Sequence, residues 1–294
     1  MLRRGALIRC VLLLGMSAFL VLLQSRPASA QPAPLAQKQP EKQRAPSPKT
    51  LAELLALPPA QIEQVDLALV NLLCAEGLRG SEDLDVKQSL DRLDGWAAHV
   101  ENETKRNQHL FDEHPERFKN SVAYFRMATL ATVLAQDLRI QYNPAREKQL
   151  ENGHTLRSDK DEKEFFGDSR DVFLHGLLWG KHYGTCASMP FFYVAISRRL
   201  GYPVTLASTA SHLYVRYEEG NGKHLNVEAT EHRAFLTPSD DEYRNPWELH
   251  VSDQEITGLA HLRPLSNREI LGHSLVTRSA VLRSMKRYDQ QAGA

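Results

Sequence analysis

The chain has 294 residues, 42% hydrophobic and 24% charged, with 36 basic side chains balancing 36 acidic ones. The balance is uneven: residues 1–30 carry four arginines and no acid and residues 31–49 carry four bases and one acid, which leaves residues 50–294 with a net charge of about −7. Such an acidic body excludes a general nucleic-acid binder, whose phosphate contacts need clustered Lys and Arg. Its roughly 245 residues suit one large domain, or a small helical part joined to a catalytic-sized part.

Arg3, Arg4 and Arg9 precede an apolar stretch from Val11 to Leu23 and the small-residue run Ala28-Ser29-Ala30. This is the layout of a secretory signal peptide over residues 1–30, cleaved after Ala30. The apolar stretch falls short of the roughly 20 residues that span a bilayer as a helix. An exported protein, periplasmic or extracellular and without stable membrane insertion after cleavage, is therefore expected, an N-terminal membrane anchor being the alternative. Residues 31–49, rich in Pro, Gln and Lys, have almost nothing to bury and read as a disordered linker. Cys10 leaves with the leader, so Cys74 and Cys186 remain, either as a structural disulfide or as separate thiols.

Thr50 and Glu53 have capping-box spacing, so LAELLAL is predicted to form a short helix that breaks at Pro58-Pro59. A second helix is predicted from Pro59 or Ala60 to Gly77, with Ile62, Val65, Leu69, Leu72 and Leu73 on one side and Cys74 as a small core residue. From Leu84 to Val100 apolar residues recur every three or four positions, the pattern of an amphipathic helix. The stretch from Phe118 to Ile140 is apolar on more than one side and reads as a buried helix. Residues 50–164 thus form a helical N-terminal part that ends in a highly charged stretch, 145–164, read as an exposed loop.

In the second part, residues 165–294, Asp168 or Ser169 is placed to cap a short helix over RDVFLHGLLW. PVTLAS, SHLYVRYE and KHLNVEAT are β-like, and Ser266 with Glu269 opens a C-terminal helix to about Tyr288. The cluster HLFDEH lacks the HExxH spacing that puts two imidazoles on one helical face, so no metal is expected there.

The segment GTCASMPFFYVAISRRLGYPV sets Cys186 just before a helix that Gly201 stops. At a helix start, unpaired backbone N–H groups and the positive end of the dipole favour a thiolate and can hold an oxyanion. Pro190 opposes a helix that starts at Cys186 itself, which moves the start nearer Ala187 or distorts it. A nucleophile also needs a base, and the base needs an orienting group. Of twelve histidines, His175 and His182 are nearest in sequence but fit surface positions on a short helix and its connection equally well, whereas strand alternation sets His212 with Tyr214 and Arg216 on one face. Asn226 and Glu228 alternate with Leu225 and Val227 on the next strand. A plain two-residue Asn221-Gly222 loop sends His212 and Glu228 to opposite faces. A three-residue loop over 220–222, or a bulge, brings Glu228 opposite Tyr214 and diagonal to His212. The expected constellation, Cys186, His212 and Glu228 with Asn226 as the substitute orienter, therefore requires an odd loop or a bulge.

These residues resemble the transglutaminase-like superfamily. The likeness rests on the cysteine segment, on SHLYVRYE, and on LNVEAT, where that family usually ends its second strand in Asp-Pro. VDLALVNLLCAEGLRGSEDLDVKQSLDRLD and LSNREILGHSL extend it over most of residues 60–285. The resemblance implies an α+β, papain-like core behind a helical bundle, with acyl-transfer or amide-hydrolysis chemistry through a thioester. It places Cys186 as nucleophile, His212 as acid/base and Glu228 as orienter, with Glu228 one methylene longer than the usual Asp. A peptide or protein substrate and no cofactor are expected. A non-catalytic binding or scaffold domain on the same fold is the alternative, since fold alone does not guarantee chemistry.

Overall fold

The structure, a computed structural model, describes residues 45–151, 155–210, 212–231, 235–245 and 250–285. The leader expected over residues 1–30, and the linker up to residue 44, lie outside the described residues. Residues 45–49 carry no regular element, although Pro48 is buried, so the expected linker ends in packed chain.

Helix α1, Leu51–Leu55, starts where expected. The Thr50 hydroxyl accepts the Glu53 N–H at 3.2 Å, and the Glu53 carboxylate takes the N–H of Lys49, at 2.7 Å, instead of that of Thr50. The helix predicted over residues 59–77 is two, α2 (Pro59–Ile62) and α3 (Leu67–Ala75), because the Asp66 carboxylate accepts the Ala68 N–H at 2.7 Å and begins a new helix. Every residue of α3, Cys74 included, is buried, as befits a helix that is apolar all round. Helix α4, Val86–Arg106, is capped by Asp85 and turns Leu93, Ala97 and Val100 inward. Helix α5, Gln108–Glu113, carries the polar HLFDEH end.

The buried helix expected from Phe118 begins later, as α6 (Val122–Thr132), and runs into one wide π turn over residues 133–137. Lys119 and Asn120 are left-handed, with φ of 56° and 54°, and Ser121 caps the new start. The charged stretch 145–164 is not a loop. After the two-residue strand β1 (Gln141–Tyr142) come α7 (Pro144–Glu147), the antiparallel pair β2 (Leu150–Glu151) and β3 (Thr155–Leu156), and α8 (Asp159–Phe165). Asn143 and Ser158 cap the two helices, and Leu150 and Phe165 are buried, anchors that a count of charges overlooks.

Asp168 caps α9 (Ser169–Val172), and the chain restarts after Phe173 as α10 (Leu174–Leu178). Across the break the two helices approach closely, which Gly176 permits: a Cβ there would sit 1.7 Å from the backbone oxygen of Arg170. Strand β4, Tyr183–Gly184, pairs in parallel with β1. Helix α11, Met189–Arg199, accommodates Pro190 in its first turn, where no intrahelical N–H is needed. Gly201, at φ 72°, ends it.

Three antiparallel strands follow in the order β5 (Val204–Thr209), β6 (His212–Gly220), β7 (Lys223–Val227). Helices α12 (Asp240–Arg244), α13 (Asp253–Gly258) and α14 (Asn267–Ser284) complete the described residues, α14 with both capping-box bonds between Ser266 and Glu269. Helix α11 lies against β5 and β6 on one side and against α3 and α4 on the other, so the N-terminal helices and the sheet share one α+β core. Among the described residues no helix is long and apolar enough to cross a membrane.

Candidate active site

Cys186 sits in the turn that leads into α11, with the N–H groups of Ser188 and Met189 bonded back to the Thr185 carbonyl at 3.0 and 2.9 Å. The turn is tied down from outside. The Thr185 and Ser188 hydroxyls both donate to the Asp171 carbonyl, at 2.9 and 3.1 Å. The Asp171 carboxylate in turn accepts from Asn143 Nδ2 and Arg146 Nε, each at 2.7 Å. Gly184 is needed for this closeness, since a Cβ there would lie 2.7 Å from Leu177 Cδ2 and 2.9 Å from Met189 Cγ and Ser188 Oγ. The backbone around residue 186 is thus tied to α9, β1 and β4 as well as to α11.

The β6–β7 hairpin resolves the question of faces through a bulge. Asn221 and Gly222, with φ of 52° and 74°, form a two-residue loop in which both central residues are left-handed, closed by the pairing of Gly220 with Lys223. The register then shifts between Glu218 and Gly220, and from there Glu218 faces His224, Tyr217 faces Leu225, Arg216 faces Asn226 and Val215 faces Val227. One extra residue on β6 turns the parity. His212 and Glu228 come to the same face.

There His212 Nε2 and Glu228 Oε2 are 2.8 Å apart, with side-chain exposures of 1% and 9%. The Cys186 thiol lies within hydrogen-bonding reach of the same ring. Since Nε2 serves the carboxylate, Nδ1 is the nitrogen left for the sulfur. The carboxylate is surrounded by donors: Oε1 accepts the Thr230 N–H at 2.9 Å and its hydroxyl at 2.6 Å, and Oε2 also accepts the Tyr243 hydroxyl at 3.0 Å. Tyr243 stacks on Tyr214 at 3.8 Å between ring centres, and the Thr209 hydroxyl, on β5, donates to the Tyr243 carbonyl at 2.8 Å.

Burial disfavours charge on both members of the pair, yet each is held charged by its surroundings. For Glu228, burial raises the carboxyl, but the imidazolium of His212 and the hydrogen bonds from His212 and Thr230 outweigh it and hold it below the usual carboxylate range. For His212, burial lowers the ring, but the Glu228 carboxylate, with hydrogen bonds to Cys186 and Glu228, outweighs it and holds the ring above its ordinary value. Such a pair keeps a proton next to a sulfur and supplies a fixed countercharge for it.

The half-buried Cys186 and the buried His212 line a cleft of about 490 Å³. Its walls include Phe165 and Phe166 from α8 and Val276 from α14, with His261 and His273 among the polar contributors.

Other sequence candidates fall elsewhere. Asn226 is not beside His212: its Oδ1 accepts from Arg216 Nε at 3.0 Å and its Nδ2 donates to Asp240 Oδ1 at 2.8 Å. His175 is buried, not a surface residue, with Nε2 3.1 Å from the Ser169 hydroxyl, and burial pushes its pKa down to about 4. His182 packs edge-on against Trp96, with Nδ1 2.9 Å from the Leu138 carbonyl. Cys74 and Cys186 are separate free thiols, and burial pushes the Cys74 thiol up to about 12. Tyr243, Thr230 and Asp171 were not singled out from sequence. Of these only Thr230 carried a signal, two residues after Glu228 and able to return its N–H and hydroxyl.

In comparisons with known proteins, no protein-family model, no curated protein and no solved structure matches this chain.

Proposed function

We propose that the protein is an exported, cysteine-dependent acyl-transfer or amide-hydrolysing enzyme of the transglutaminase-like kind, with a papain-like core in which α11 packs on the β5–β7 sheet. The observation that carries the reading is the order thiol, imidazole, carboxylate across adjacent elements: Cys186 within reach of the His212 ring, and His212 Nε2 2.8 Å from Glu228. A buried imidazole between a carboxylate and a half-exposed sulfur at a cleft is difficult to account for as packing alone.

In the proposed reaction the Cys186 sulfur attacks the carbonyl carbon of a peptide or side-chain amide. A C–S bond forms and the carbonyl π pair moves to oxygen. His212, holding the proton taken from the thiol, gives it to the leaving nitrogen as the C–N bond breaks, which leaves a thioester. Water or an amine then attacks the thioester while His212 accepts its proton, and the thiolate departs. Glu228 keeps the ring oriented and stabilises its charged form throughout. Water gives hydrolysis and an amine gives cross-linking by the same steps.

Incubating the protein with 4-nitrophenyl acetate, followed by acid quench and peptide mapping, tests the reading. The expected result is one acetyl group on Cys186, released by hydroxylamine and absent in Cys186→Ala. Acetylation confined to lysines, or unaffected by His212→Ala, would refute it.

A further inference from the structure

Tyr142 ends β1, and its backbone pairs with Gly184 of β4, two residues before the cysteine. The Asn143 N–H donates to the Gly184 carbonyl at 2.8 Å, so β1 is pinned against the chain that leads into the Cys186 turn. The ring is 8% exposed. Its hydroxyl is buried and closes no hydrogen bond of ordinary geometry among the described residues. It nevertheless faces both the thiol and the backbone N–H of Cys186. A buried hydroxyl without a well-formed hydrogen bond is a cost to the fold that phenylalanine, filling the same space, would not carry. The hydroxyl therefore needs an explanation that packing does not supply.

Its position supplies one. When sulfur attacks a carbonyl, negative charge develops on an oxygen bonded to the same carbon, a few ångströms from the sulfur and near the N–H of the nucleophile's own residue. A second donor aimed there stabilises that charge, and a phenolic O–H rotates onto it without movement of the ring. Burial, and then the neighbouring sulfur, push the Tyr142 hydroxyl above its ordinary value, so it stays protonated and remains a donor.

We propose that Tyr142 is a catalytic residue of this site: its hydroxyl, together with the Cys186 N–H, donates to the oxyanion formed when the thiolate adds to the substrate carbonyl. The assignment rests on the acyl-transfer reading given above.

The test compares two reactions of the same sulfur in the full chain and in Tyr142→Phe. Acetylation by 4-nitrophenyl acetate passes through an oxyanion: the C–S bond forms, charge moves to oxygen, and 4-nitrophenolate leaves as the carbonyl re-forms. Alkylation by iodoacetamide displaces iodide at a saturated carbon and forms no oxyanion. In Tyr142→Phe acetylation is expected to fall by about 100-fold or more, the scale of losing one oxyanion donor. The alkylation rate and its pH profile are expected to stay unchanged, and the melting temperature to hold or rise. Equal acetylation in the two proteins overturns the assignment. A parallel loss in both reactions, with a displaced alkylation profile, overturns it too, because the hydroxyl would then serve the thiolate. If Cys186 of the unsubstituted protein reacts with neither probe faster than glutathione, the acyl-transfer reading itself fails and the assignment falls with it, an outcome distinct from the other two.

Discussion

Replacing Glu228 by Gln isolates the charge of the buried pair while keeping its shape. In the native chain both carboxylate oxygens face donors only: the Thr230 N–H and hydroxyl on Oε1, His212 Nε2 and the Tyr243 hydroxyl on Oε2. A carboxamide has one acceptor oxygen. Whichever way it is flipped, its NH₂ group confronts two donors, and the Thr230 N–H cannot reverse. Glu228 is 8% exposed, so solvent does little to compensate. The loss is that of a buried charged pair broken at one partner, about 3 kcal/mol. For a body of this size that lowers the melting temperature by about 6–12 °C. Without its carboxylate the ring has no fixed orientation and no countercharge, and turnover of an amide or ester is expected to drop by about 100-fold or more. Thermal melts and 4-nitrophenyl acetate kinetics on the two proteins give both quantities. A Glu228→Gln protein that melts with the native one and acetylates at the same rate would show that the carboxylate neither stabilises the buried pair nor orients the ring.

The pH course of stability follows from the same pair. Glu228 titrates below its ordinary 4.5, so its contribution is complete above that pH and is lost as the pH falls beneath it. His212 titrates above its ordinary 6.5, so its contribution is complete below that pH and is lost as the pH rises past it. Urea melts are therefore expected to show stability declining on both sides of about pH 5–6, with both slopes reduced in Glu228→Gln. Tyr243→Phe removes one of four donors to the carboxylate and is expected to cost about 1–2 kcal/mol, read from the urea midpoint, with turnover reduced far less than in Glu228→Gln. Gly184→Ala drives a Cβ to within 2.7 Å of Leu177 Cδ2, and circular dichroism melts are expected to show a loss of about 1–3 kcal/mol with impaired thiol reactivity. Cys74, fully buried in α3, is expected to be labelled by maleimide only after unfolding, as peptide mapping can show.

Much of the site is readable from sequence because local rules govern it. Gly201 ends α11, strand alternation lines up His212, Tyr214 and Arg216, and the parity of the β6–β7 turn decides whether Glu228 joins them. That parity also marks where local reading stops. Asn221-Gly222 specifies a two-residue loop, and the bulge that reverses its consequence lies in Glu218–Gly220, where Gly220, at φ 88°, hints at a bulge without fixing the register. Asn226 satisfied the same alternation as Glu228, but Arg216 and Asp240 claim it, one of them from a helix beyond β7. The helices fail in a similar way. Asp66 reads as one more polar residue in a helical run, yet its cap to Ala68 splits that run in two. Leu150 and Phe165 are too few among charges to show that residues 145–164 are folded. Tyr142 and Tyr243 reach the site from elements distant in sequence from Cys186 and Glu228, and only the assembled core brings them there.

The proposed chemistry requires Cys186 to react as a sulfur with a bound countercharge. Alkylation of the native protein by iodoacetamide at pH 6, followed at Cys186 by peptide mapping and compared with glutathione, measures this directly. Cys186 is expected to react many times faster than glutathione, and His212→Gln to abolish the advantage. A Cys186 that alkylates no faster than glutathione, or just as fast without the imidazole, would rule out an imidazole-activated sulfur.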